Sequence, residues 1–172
     1  QDDKITTPDN KAVVTVGDAS VTEGERAEFD VALSNVDLAD NASVNYTFAL
    51  DLSGSAELSD FVQNAQGEVM LTVSYTDANG DVQTVDVVNG ASASLPANAT
   101  AIKVSVETVN DSVLEGNEGF KLSVTATGTV GDNNESFTAS NRGDGVIQDD
   151  KITTPDNKAV VTVGDASVTE GE

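Results

Sequence analysis

Apolar and polar residues alternate along most of this chain with a period of two. In RAEFDVALS, Ala27, Phe29, Val31 and Leu33 alternate with polar neighbours. In ASVNYTFALD the apolar positions are Val44, Tyr46, Phe48 and Leu50, and in EVMLTVSY they are Val69, Leu71, Val73 and Tyr75. AIKVSVETV repeats the pattern with Ile102, Val104 and Val106, and GFKLSVTAT with Phe120, Leu122 and Val124. Such alternation buries one face of a strand and wets the other. No stretch combines a 3.6-residue period with helix caps. The pattern predicts about seven to nine short strands joined by turns, an all-β fold built as an antiparallel, immunoglobulin-like β-sandwich. TDANGDV reads as a hairpin turn, with Asn79-Gly80 supplying positive φ. Asp77 and Asp81 give it a slight look of a calcium loop, but the plain hairpin is the stronger reading.

The segment QDDKITTPDNKAVVTVGDASVTEGE fills residues 1–25 and returns unchanged at 148–172, a period of 147 residues. That is far longer than a solenoid repeat of about 20 to 50 residues, so the repeating unit is a whole domain. The expected organisation is an inter-repeat linker at 1–11, a sandwich domain at 12–150, and a second linker with the first strand of a further repeat at 151–172. The expected source is a tandem array within a longer protein, any secretion signal lying upstream. Pro155 holds the linker to an extended path. Residues 159–172 carry the sequence of a first strand and an apolar face. A monomer with a loosely packed tail is expected, exchange of that strand between molecules is the alternative reading, and neighbouring repeats of the same chain are the other partners.

Charge narrows the function. The chain has 30 Asp and Glu against 8 Lys and Arg, a net charge of −22. The second copy of the repeated segment holds six acids and two bases, which leaves 24 and 6, or −18, for one repeat. Such a surface repels nucleic acid and anionic lipid and attracts cations. No nucleic acid partner and no membrane insertion by this segment are expected. Hydrophobic residues make up 38% of the chain, enough for a core. Cys and His are absent, which excludes thiolate or imidazole sites for zinc and copper and the histidine-assisted nucleophiles. Carboxylate pairs can cleave glycosides, but five Phe, two Tyr and no Trp leave little for a sugar to stack on. The chain is expected not to be an enzyme.

The acids gather in a few segments: SVTEGE, ELSDF, NDSVLEGNE and VIQDDK. A dense all-oxygen set suits a hard cation, and calcium better than magnesium, which gives up its waters reluctantly. A solvated acidic surface is the alternative reading of the same residues. The order DASVTEGERAEFDVALSN, GSAELSDF, NDSVLEGNEGFKLSVT and GVIQDD resembles the Calx-β repeat, over roughly residues 13–150 and with about 64–90 as an inserted stretch. NDSVLEGNEGFKLSV is its most specific segment. The resemblance implies a Calx-β-like sandwich, Ca2+ as the bound ion, and ligands at Glu23, Asp60, Asp111, Glu115, Glu118, Asp149 and Asp150. Asp144, Asp2 and Asp3 are weaker candidates. Two positions depart from the family pattern: Asn110 stands where an acid is frequent, and Lys151 where a third Asp is frequent. Both remove negative charge and imply fewer ions or weaker binding.

The tandem organisation also resembles that of large RTX-type bacterial surface adhesins. The resemblance implies a secreted, cell-surface extender domain that projects a distal ligand-binding region for adhesion or biofilm formation, braced by calcium at Asp149 and Asp150 where the linker starts. A calcium-sensing regulatory Calx-β module is the alternative. Arg142-Gly143-Asp144 spells an integrin-type tripeptide, but Gly143 and Gly145 have an ordinary use at a bulge or turn.

Overall fold

The computed structural model describes residues 12–38, 42–111, 113–130, 135–149 and 164. Among the described residues, ten strands form two five-stranded sheets packed face to face. They are β1 (Val13–Val16), β2 (Ala19–Thr22), β3 (Arg26–Ser34), β4 (Ser43–Asp51), β5 (Met70–Thr76), β6 (Val82–Val88), β7 (Ser92–Pro96), β8 (Thr100–Glu107), β9 (Glu118–Val130) and β10 (Glu135–Gln148). One sheet runs β1-β3-β8-β5-β6 and the other β2-β10-β9-β4-β7. The linker residues 1–11 and most of 151–172, including the stretch expected to exchange, lie outside the described residues.

The alternating positions face the core as the sequence predicts. Phe29, Phe48, Leu71, Val73, Val104, Leu122 and Val124 are essentially inaccessible to solvent. The ends of the alternating rows, at Leu33, Leu50 and Tyr75, are only partly buried. The turn at 77–81 is a hairpin, with the Asp77 amide donating to the Asp81 carbonyl at 2.8 Å. Only Gly80 takes positive φ there (85°), so Asn79 does not share that role. The Asp77 carboxylate accepts from the amides of Asn79 and Asp81 and from Gln83 Nε2. These bonds, the one from Gln83 foremost, hold its pKa low and leave it the work of a turn.

The sandwich departs from a purely antiparallel one at a single place. The segment expected as one first strand splits at Gly17-Asp18. Its first half, β1, pairs antiparallel with β3 in one sheet. Its second half, β2, keeps its heading, crosses to the other sheet and pairs parallel with β10. The crossing backbone lies against Gly143, where a Cβ would stand 2.1 Å from the Gly17 carbonyl oxygen. At Gly145 a Cβ would stand 2.4 Å from the Phe120 ring. Both glycines exist to admit a neighbour in contact. The tripeptide at 142–144 is thereby a strand segment: Arg142 pairs with Asp51 at 3.5 Å and Asp144 with Lys121.

Gly145→Ala is expected to destabilise the domain by about 1–3 kcal/mol, the usual cost of forcing atoms into a filled core. Denaturant unfolding measures it. A midpoint equal to wild type would contradict the packing described.

Candidate metal centre

The β2–β3 turn, the segment 56–62, the β8–β9 connection and the end of β10 meet at one end of the sandwich. In TEGE, Gly24 turns the chain at φ 84° while the Glu25 amide donates to the Thr22 carbonyl at 3.0 Å. A 3-10 turn at Leu58–Asp60 follows the bends at 53–55 after β4. Its Asp60 accepts from the Glu57 amide at 2.6 Å. Within the connection 108–117, Asp111 Oδ1 accepts from the Val113 amide at 2.8 Å.

Backbone bonds tie these pieces together. The Glu23 amide donates to the Gln148 carbonyl (2.9 Å), Thr108 to Glu25 (3.1 Å), Val109 to Asp60 (2.9 Å) and Ala56 to Gly119 (3.0 Å). Beneath them, Phe61 and Phe120 meet edge to face with centroids 5.0 Å apart, and Phe120 meets Phe29 at 5.8 Å. All three rings are buried. Acidic loops thus rest on a fixed apolar floor.

The carboxylates converge in two groups that share one residue. Oxygens of Glu23, Asp111 and Glu115 all lie within 4.8 Å of one another, as do oxygens of Asp60, Glu115 and Glu118. Two oxygens bound to one calcium ion stand at most about 5 Å apart, given bonds of about 2.3–2.6 Å. Both groups meet that distance condition for a single hard cation each, and Glu115 belongs to both. The donor set is all carboxylate oxygen, the chemistry calcium selects. Glu23 is 8% exposed, an unusual burial for an acid.

Packing the carboxylates together raises their proton affinity. Partial burial, a hydrogen bond with Asp60 and the charges of Asp60, Glu115 and Glu23 push Glu118 up to about 7. Glu115 is also raised, by partial burial first and then by Asp111, Asp60, Asp149 and Glu57. Asp149 and Glu57 are thus close enough to charge the site. The four described cations lie elsewhere: Arg26 pairs with Glu107, Lys103 with Glu28 and Asp30, Lys121 with Asp144, and Arg142 with Asp51.

Five of the sequence-nominated residues, Glu23, Asp60, Asp111, Glu115 and Glu118, come together, and Asp149 stands by them at the end of β10. Asp144 does not join them. It sits within β10, bound to Lys121, its amide donating to Asp18 Oδ1 at 2.9 Å. Asp150, Asp2 and Asp3 lie outside the described residues. Glu57 was not nominated. Its signal was ELSD itself, an acid three residues before Asp60 at the start of a turn. Asn110, the departure from the family pattern, packs against the turn: a Cβ on Gly24 would meet the Asn110 Cβ at 3.0 Å.

No protein-family model and no curated protein matches the chain. Solved structures with a similar sandwich include a chain of the type I cohesin–dockerin complex Coh-OlpC–Doc435 from Clostridium thermocellum ATTC 27405, at 10% identity over 86% of this chain and 99% of that one, with a TM-score of 0.45. The apo-form Calx CBD1 domain is similar at 17% identity over 82% and 99%, with a TM-score of 0.37. A non-cellulosomal cohesin from the archaeon Archaeoglobus fulgidus is similar at 14% identity over 83% and 94%, with a TM-score of 0.34. At these identities the likeness is one of fold.

Proposed function

We propose that this chain is a calcium-stabilised, non-catalytic extender repeat of a long cell-surface adhesin. The observation that carries the reading is the meeting of Glu23, Asp60, Asp111, Glu115 and Glu118 beside Asp149, where the domain hands over to the linker. Bound calcium would neutralise charge that otherwise pushes these loops apart, and would hold Asp149 to the domain end.

The direction of the chain supports an array. Val13 of β1 lies beside Ser34, while Gln148 of β10 lies beside Thr22. Because β1 and β3 are antiparallel, the chain enters at one end of the sandwich and leaves at the other. Successive repeats would therefore follow head to tail, each with its acidic end against the next linker.

Small-angle X-ray scattering on several consecutive repeats tests the extender role. The maximum dimension is expected to grow on adding calcium and to shrink in chelator. Equal dimensions in both would argue against bracing at the linker. A changed bend at constant contour length would favour the sensing module instead.

A further inference from the structure

We propose that β6 is a self-association edge, which pairs antiparallel with the β6 of a second copy and joins two sandwiches through one continuous sheet. The inference stands on the fold and does not need the calcium reading.

The sheets present four edges, and three are blunted. β1 and β2 are four residues each, and β7 is five residues ending in Pro96. β6 is seven residues, VQTVDVV, without Pro, Lys or Arg. Among the described residues nothing pairs with its outer side. Five of its seven residues are exposed, Val82 at 70% and Val85 at 37%. A long edge that carries a single charge and neither proline nor bulge is a template for another strand. Its one acid, Asp86, accepts a hydrogen bond from Thr72 Oγ1 at 3.0 Å.

The ladder shows which backbone groups face outward. The hairpin is hydrogen-bonded at Asp77–Asp81 and again where the Asn89 amide donates to the Val69 carbonyl. Bonded pairs alternate along an antiparallel ladder. Residues 83, 85 and 87 therefore bond to β5, and residues 82, 84, 86 and 88 turn their amides and carbonyls out.

Those groups are self-complementary about Val85. A twofold axis there sets Thr84 opposite Asp86 and Val82 opposite Val88, in bonded pairs. Val85 meets its own copy at the unbonded position, where side chains come closest. No carboxylate stands directly opposite a carboxylate, an arrangement that would oppose pairing; the two Asp86 lie diagonally across the axis, about 7–8 Å apart. This matters on a chain of net charge −22. A second copy is favoured because the strand is its own complement about Val85, and β6 is a nearly uncharged strip where copies that otherwise repel one another can meet. One strand pair is smaller than a standard interface of about 1,600 Å2. Single repeats will associate weakly, and repeats in series will add their contacts.

Sedimentation equilibrium of the full chain in high salt tests this. The weight-average mass should climb with concentration toward twice the monomer. Val85→Lys should hold the mass at monomer while its melting temperature stays that of wild type, and Val13→Lys, on the β1 edge, should associate as wild type does. Hydrogen exchange at residues 82, 84 and 86 should slow as wild-type concentration rises. A wild-type monomer at every concentration would overturn the proposal. So would Val85→Lys dimers equal to wild type, or exchange at these amides that ignores concentration.

Discussion

Millimolar calcium is expected to raise the melting temperature of this chain by roughly 8–16 °C above its value in chelator. Free ion at about 100 times Kd stabilises a folded state by about 2.7 kcal/mol per site, provided the unfolded chain does not bind. For a domain of this size, 1 kcal/mol moves the midpoint by about 3 °C. One ion then gives about 8 °C and two about 16 °C. Magnesium should do much less, since it resists giving its waters up to a cage of protein carboxylates. Glu115 belongs to both oxygen groups. Glu115→Gln should therefore remove most of the calcium-dependent rise, and Asp111→Asn only part of it. Asp77→Asn should leave the rise intact, because that carboxylate is spent on the hairpin. Differential scanning calorimetry in chelator, calcium and magnesium separates these outcomes. A midpoint indifferent to calcium would remove the metal reading.

Strands with a strict period of two were legible because their apolar side chains end in the core. RAEFDVALS is β3 to the residue, with Ala27, Phe29 and Val31 inside. β6 was legible only as the second arm of the hairpin and not from its own pattern, because it hangs at the rim of its sheet. Of its residues only Val87 is buried, so burial imposed no alternation on VQTVDVV. The split of the first strand was hidden for a different reason. VVTVGDASVT alternates well enough for one strand, and the crossing at Gly17 depends on Gly143, which lies far along the chain. Close approach between distant backbones leaves only a glycine as its trace, and a glycine has many other uses.

The acidic end was legible as a set of segments but not as a geometry. Glu23, Asp60 and the pair Asp111 and Glu115 belong to three separate connections and Glu118 to the start of β9, and the two-sheet topology brings them to one end. Asp144 illustrates the limit of counting acids. Its neighbour across the ladder is Lys121, a pairing set by the β9–β10 register. Glu57 illustrates the converse, a residue placed at the site by a one-turn helix too short to leave a periodic signal.

In chelator, acidification from pH 8 to about pH 5 is expected to stabilise the folded chain, against the usual direction of acid denaturation. Glu118 carries the effect. Its pKa rises from 4.5 in the free residue to about 7 in the folded chain. Between those values the folded state holds a proton that the unfolded state has released. Stability must then fall with rising pH across that window. The contribution of Glu118 is complete below its unfolded value and is lost as pH rises through its folded one. Glu115 is shifted the same way and adds to the slope. Asp51 and Asp77 are shifted downward, Asp51 by its bonds with Ser53 and Asp77 by its bond with Gln83 foremost. Their stability is lost only as pH falls below the ordinary aspartate range, so they do not mask the window. Calcium should reverse the slope, because the ion requires ionised carboxylates and protons compete with it. Glu118→Gln should flatten the profile in chelator, raise the midpoint at pH 8, and weaken the response to calcium. Thermal unfolding at a series of pH values, with and without calcium, measures all three. A chelated protein that melts higher at pH 8 than at pH 5 would show that its carboxylates are not packed as described.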